Sequence, residues 1–224
     1  MRAFFFISVM LGICATAFPQ NCNFYYLQNN KTAEVSIYNK KGNESGKNVY
    51  KVSSVSKSGK DVSAIVNSEM FDKNGKSIST AVNNIKCSSG VLMMDMKMFI
   101  SPDQQERMKG EAKASDVYLS YPTDMKTGDA LPDGIFEMDM KQSSGINSTI
   151  SIKLTERKVE SKESITTPAG TWECFKITYH SVIRFSLAGI GIPIKMDVTE
   201  WFAPGFGVVK TESKYGSTLL TKFQ

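Results

Sequence analysis

From Glu34 onward, apolar and polar residues alternate with a period of two, and glycine-containing turns break the alternation roughly every ten residues. This pattern predicts antiparallel strands buried on one face. Val35 and Ile37 alternate with Ser36 and Tyr38 before Lys40-Lys41-Gly42-Asn43 turns the chain. Strands are expected over 49–56 and 62–71, the second ending at Asp72-Lys73-Asn74-Gly75. Its Asn-Gly pair tolerates the positive φ that a tight hairpin requires. Further strands are expected over 77–86 and 91–98, and then over 135–142, 148–166, 171–185, 192–202, 207–215 and 218–223. A meander of about ten or eleven strands lacks the helical crossovers of a parallel sheet, and a sheet of that size curls. The expected fold is therefore mainly β: a single large curved antiparallel sheet, either a half-barrel or an open barrel.

Two regions depart from the alternation. Ser101-Pro102-Asp103 places a capping serine, a proline at the first helical position and an acidic first turn, so one short helix is expected over 101–113. The stretch 118–134, with Pro122, Gly128, Pro132 and Gly134, is expected to be loop-rich. At the N-terminus, Met1-Arg2, an apolar run and Ala15-Thr16-Ala17 read as a secretory signal over 1–17, leaving 18–224 as a single β-rich domain. The apolar run is shorter than the roughly 20 residues a membrane span needs, so no transmembrane span is expected. A lipoprotein reading would acylate Cys14, but Ile13 stands where a small residue is expected.

Strand alternation assigns faces. Leu92, Met94, Met96 and Met98 share one face, as do Phe136, Met138 and Met140, and as do Ile194, Met196 and Val198. The chain carries 12 methionines, and methionine adapts its shape to variable apolar partners. Met94, Met96, Phe136, Met138, Met140, Ile194 and Met196 are thus the candidate ligand-binding residues of a concave face. The same residues would also serve as the packed core of a strongly curved sheet, and alternation does not separate the two. Leu187 to Ile194 is apolar and uncharged; it either folds over the end of the core or, if exposed, touches a membrane or a partner.

Charge and chemistry narrow the picture further. The net charge of +5 is spread among acidic residues, so no nucleic-acid partner is expected. Export permits disulfides, and three cysteines remain after the leader. Cys22 and Cys87, both beside turn-forming residues, are the expected pair, leaving Cys174 as a small buried side chain or a reactive thiol. With His180 the one histidine, no His-pair site exists, and Asp and Glu lack calcium-loop spacing, so neither metal nor cofactor is expected. Gly205-Phe206-Gly207 with Lys210 is not a phosphate loop, because Val208-Val209-Lys210-Thr211 continues as a strand rather than a helix. It reads as a hairpin turn.

Three segments carry a resemblance: Asn21 to Tyr26, Ile165 to Lys176 with its Thr-Pro-Ala-Gly-Thr hairpin, and Glu200 to Lys210 with its Trp-Phe-Ala-Pro-Gly turn. They resemble the TapB-like family of exported proteins from Bacteroidetes-type bacteria, part of a periplasmic domain family of unknown function. The resemblance implies a curved sheet akin to the half-barrels of lipoprotein carriers, which hold acyl chains, and it supplies no catalytic residues. The expected function is that of an exported, non-enzymatic protein of the periplasm or cell envelope, or one secreted, binding an apolar or acyl ligand on the concave face. The alternative is a structural or protein-interaction module that recruits an envelope partner through hairpin loops or a sheet edge. A hydrolase would be marked by His180 clustering with two carboxylates in a cleft.

Overall fold

The computed structural model describes residues 22–99, 117–141 and 147–224. The expected signal segment 1–17 and the expected helix 101–113 lie outside the described residues. Twelve strands form: β1 (Thr32–Asn39), β2 (Glu44–Ser58), β3 (Asp61–Asp72), β4 (Ser77–Ser88), β5 (Val91–Asp95), β6 (Tyr118–Pro122), β7 (Gly134–Lys141), β8 (Asn147–Thr167), β9 (Gly170–Leu187), β10 (Pro193–Ala203), β11 (Gly207–Ser213) and β12 (Gly216–Phe223). They make one antiparallel sheet in the order β6-β5-β4-β3-β2-β1-β12-β11-β10-β9-β8-β7. Because β1 pairs with β12, the two ends of the meander meet in mid-sheet, and the edges are β6 and β7. The sheet curls until it nearly closes into a barrel.

Two expectations need correction. Strand β6 lies inside the stretch expected to be a loop; its Tyr-Leu-Ser-Tyr alternation pairs with β5, and Pro122 is tolerated because it ends an edge strand. The strand expected over 91–98 stops at Asp95, whose carboxylate accepts a hydrogen bond from the Lys97 amide (3.0 Å) and turns Met96–Phe99 into a 3-10 turn.

The seam between β6 and β7 is closed by side chains rather than by a ladder. At Gly134 the backbone approaches so closely that an added Cβ would lie 2.6 Å from Leu119 Cδ1 and 3.0 Å from Met96 Sδ. Beside it, β8 bulges between Thr155 and Lys158, with Glu156 at φ 56°, and the bulge turns Arg157 inward. Arg157 is fully buried, and its Nη1 donates to the carbonyls of Ser120 on β6 (3.1 Å) and Pro132 just before β7 (2.8 Å). The guanidinium also lies over the Tyr121 ring at 4.8 Å, and Tyr121 stacks on Phe202. Buried Glu200 on β10 supplies the counter-charge at 3.8 Å and accepts a hydrogen bond from Tyr121 Oη (3.3 Å). Burial pushes the Glu200 carboxyl up, against the pull of Arg157 and of the Tyr121 and Tyr179 hydroxyls. The rest of the β8 edge is covered by the β6–β7 connection, whose Leu131 amide donates to Arg157 O (2.8 Å) and Gly128 amide to Val159 O (2.8 Å).

One end of the barrel is plugged by Cys22–Leu27, where Phe24, Tyr25, Tyr26 and Leu27 are all buried. The plug docks on the β10–β11 turn, with the Tyr25 amide donating to Gly205 O (2.7 Å). Phe206 from that turn stacks on Tyr25 (4.7 Å) and meets Tyr26, Trp172 and Phe223. The Tyr25 hydroxyl lies 2.6 Å from the carbonyls of Thr32 and Gln224, tying the plug to both strands at one end of the β1–β12 pair. The Cys22–Cys87 disulfide, with Cα atoms 5.5 Å apart, fixes the plug to β4 across a separation of 65 residues.

Two outcomes follow for stability. Arg157→Met leaves Glu200 as a buried unpaired charge and two carbonyls without their donor, so it should cost about 3–5 kcal/mol. Arg157→Met with Glu200→Leu should recover part of that loss in urea unfolding, whereas a double variant as unstable as the sum of its singles would contradict the coupling. Reduction, or Cys22→Ser with Cys87→Ser, should cost about 4 kcal/mol by loop-closure entropy. An unchanged urea midpoint would show that the plug holds without its staple.

Candidate functional site

Above the plug the barrel interior holds a half-open cavity of about 320 Å³. Its apolar wall is Val35, Met94, Met98, Val198 and Val208, and its polar wall is Tyr26, Asn48, Tyr50, Tyr179, Thr211 and Thr218. Strands β1, β2, β5, β9, β10, β11 and β12 turn these side chains to one space, joined by Tyr26 of the plug and Met98 of the 3-10 turn. Tyr50 Oη accepts a hydrogen bond from Asn48 Nδ2 (3.3 Å), while Asn48 Oδ1 is buried without a hydrogen-bond partner. The hydroxyls of Thr211 and Thr218 share a hydrogen bond of 2.8 Å. Burial pushes the Tyr26 and Tyr50 phenols up, so both stay protonated and uncharged.

The candidate ligand residues whose side chains are described do not all converge on this space. Met94 lines the cavity. Met96 is fully buried in the 3-10 turn and packs near Gly134 at the seam; Phe136 and Met138 are packed core. Ile194 is 47% exposed at the far end of β10, and Met196, half-buried, lies between it and the cavity wall. The side chain of Met140 lies outside the described residues. Apolar alternation selects residues of the packed core (Met96, Phe136, Met138) together with cavity-lining Met94, and passes over Asn48, Tyr50, Tyr26 and Tyr179. Asn48 and Tyr50 occupy alternate inward positions on β2, so extending that strand to its true start at Glu44 would have exposed a polar inner face.

The outer wall carries a second feature. His180 Nδ1 lies 2.5 Å from Asp197 Oδ1, its cross-strand partner, and Nε2 lies 3.4 Å from Glu156 Oε2 at the β8 bulge. This cluster borders a cleft of about 570 Å³ that also includes Leu131, Asp133, Lys158 and Thr178. A histidine between two carboxylates in a cleft is the geometry named above as the mark of a hydrolase. All three side chains are more than half exposed, and the Thr178 hydroxyl donates to Glu160 (3.2 Å) rather than to His180. Acyl transfer needs a nucleophile bonded to its base, and none is in place here among the described residues. Nor, among them, does any group of three His, Cys, Asp or Glu side chains stand where it could hold a metal ion.

The remaining candidates resolve into structural roles. Cys174 is buried and its thiol is pushed up to about 12, first by burial and then by Glu173 and Glu163; such a thiol is inert. Lys210 lies over the Trp201 ring (4.4 Å) and pairs with Glu212 (2.7 Å) on the outer face, as a strand residue rather than a phosphate ligand. Pro204 to Phe206 form the turn, with Gly205 at φ 79°. The β9–β10 hairpin is exposed: Ile190 is 82% and Ile192 87% accessible.

The fold recurs in two crystal structures. A protein of Bacteroides fragilis, described as exported and as having a YmcC-like fold, matches 91% of this chain and 100% of its own at 22% identity and a TM-score of 0.72. A protein of Parabacteroides distasonis, described as a lipoprotein, matches 91% of this chain and 100% of its own at 21% identity and a TM-score of 0.73. No functionally curated protein matches the chain. No helix among the described residues is long and apolar enough to cross a membrane. The DUF3108-like family matches residues 28–218, which span every strand from β1 to the start of β12, and the chain belongs to that family.

Proposed function

We propose that this is an exported, non-enzymatic envelope protein whose barrel interior holds a small apolar or acyl ligand. The observation that carries the reading is the interior cavity of about 320 Å³ walled by valine, methionine and tyrosine. Ligand sites begin at about 300 Å³ and combine an apolar lining with a few placed polar groups. The structural kinship to proteins described as exported and as a lipoprotein supports an envelope location, and so does the leader read from residues 1–17. The resemblance to TapB-like proteins belongs to the same proposal: its Thr-Pro-Ala-Gly-Thr and Trp-Phe-Ala-Pro-Gly segments build the plugged end on which the cavity rests.

Two other readings have one observation each. The exposed Ile190 and Ile192 favour an interaction module acting through its hairpin, while the closed seam argues against recruitment through a sheet edge. The His180 cluster favours hydrolysis, and its exposure and missing nucleophile argue against it.

Titration of the purified protein with the neutral fluorophore N-phenyl-1-naphthylamine should show saturable enhancement at one site. Val198→Trp, which fills the cavity from β10, should weaken it at least about tenfold, as occlusion of a pocket removes most of its apolar contact. His180→Ala should leave it unchanged. Absence of saturable binding, or binding indifferent to Val198→Trp, would overturn the proposal.

A further inference from the structure

The geometry points to a neutral amphiphile as the ligand class: an apolar chain carrying an uncharged head that both donates and accepts hydrogen bonds, such as an alcohol or an ester of glycerol. This rests on the cavity reading above and specifies what the cavity selects.

Three observations support it. First, none of the side chains lining the cavity is charged, although the chain carries 27 Lys and Arg and 22 Asp and Glu. An ionic head placed there would be desolvated with no partner, which costs several kcal/mol even after relaxation. Second, the polar groups form a donor and acceptor pair. Asn48 Oδ1 is buried with no hydrogen-bond partner, and Tyr50 Oη, which accepts from Asn48 Nδ2, keeps its own proton to donate. A hydroxyl head satisfies both, donating to Asn48 and accepting from Tyr50, whereas a carboxylate cannot donate and a quaternary ammonium can do neither.

Third, the inner face beyond Asn48 and Tyr50 continues in the same character. Cross-strand pairing carries Tyr50 to Ser68, and Asn48 through Met70 to Ser79. Ser68, Ser79 and Asn83 are buried; Asn83 Nδ2 donates to Ser68 Oγ (3.1 Å), and Ser79 Oγ and Asn83 Oδ1 have no hydrogen-bond partner. These three do not line the cavity, but they carry the uncharged polar character of Asn48 and Tyr50 along the same inner face. On the opposite side, Tyr179 hydrogen-bonds Glu200, whose charge is already paired with Arg157 at 3.8 Å, so a head of either sign gains no net partner there.

The test is competition for the N-phenyl-1-naphthylamine site by three ligands of one chain length: 1-decanol, decanoate at pH 8 and decyltrimethylammonium. Decanol should displace the probe at least about tenfold more effectively than either ion, given the cost of burying an unpaired charge. Decanoate should approach decanol near pH 4, where the acid becomes neutral. Asn48→Leu and Tyr50→Phe should each weaken decanol several-fold relative to decane, which has the same chain and no head, with each displacement corrected for that variant's own affinity for the probe. Equal or stronger displacement by decanoate or the ammonium overturns the neutral-head assignment, as does indifference of decanol to both variants. Failure of the probe itself to bind overturns the cavity reading instead, so the two failures are distinguishable.

Discussion

The closure of the barrel depends on one buried cation. A curled sheet whose edge strands do not pair leaves carbonyls facing an apolar interior, and each unsatisfied group is costly. Arg157 resolves this by donating from a single Nη1 to Ser120 O and Pro132 O, one carbonyl on each side of the seam. The charge that makes this possible must itself be compensated, which assigns Glu200, Tyr121 and Tyr179 their places. Arg157 Nη2 and Glu200 Oε1 are 3.8 Å apart, beyond hydrogen-bond reach, so the pair's attraction does not by itself repay its desolvation. Its contribution is positional: it holds β6 against β8 where no ladder exists. The β8 bulge follows from the same need, since only an inserted residue turns Arg157 inward while Glu156 and Lys158 point out.

The plug is the second constraint. A barrel with both ends open would flood its apolar interior, and here one end is sealed by the aromatic cluster around Phe206. The three segments that carry the family resemblance meet at this end: the plug, the β8–β9 hairpin with Trp172, and the β10–β11 turn. Their aromatic side chains seal that end of the barrel. With one end sealed and the seam stapled, the remaining space is bounded by the plug below and by β1, β2 and β9–β12 around it, which is where the cavity lies.

Much of the fold was legible because period-two alternation reports directly on a half-buried sheet. The strand boundaries of β3, β4, β9 and β10, and the Cys22–Cys87 staple, follow from alternation and turn chemistry. Strand β6 was not legible, because Pro122 and the glycines around it signal a loop and only pairing with β5 makes five residues a strand. Arg157 was hidden for a related reason: within Glu156-Arg157-Lys158 it resembles a solvated charge run, and the inward turn comes from a bulge that alternation does not encode. The cavity residues were passed over because a search for apolar faces discards Asn48 and Thr218, which matter only once curvature brings β2 and β12 around one space.

A neutral amphiphile held in the barrel interior, as proposed, would travel with the protein through purification. The most direct measurement is native mass spectrometry of the protein purified from its native cells without detergent, with the bound species released and identified. One adduct per chain is expected, its released component uncharged and carrying an apolar chain. An adduct-free mass for protein that still binds added ions of decanoate would contradict it.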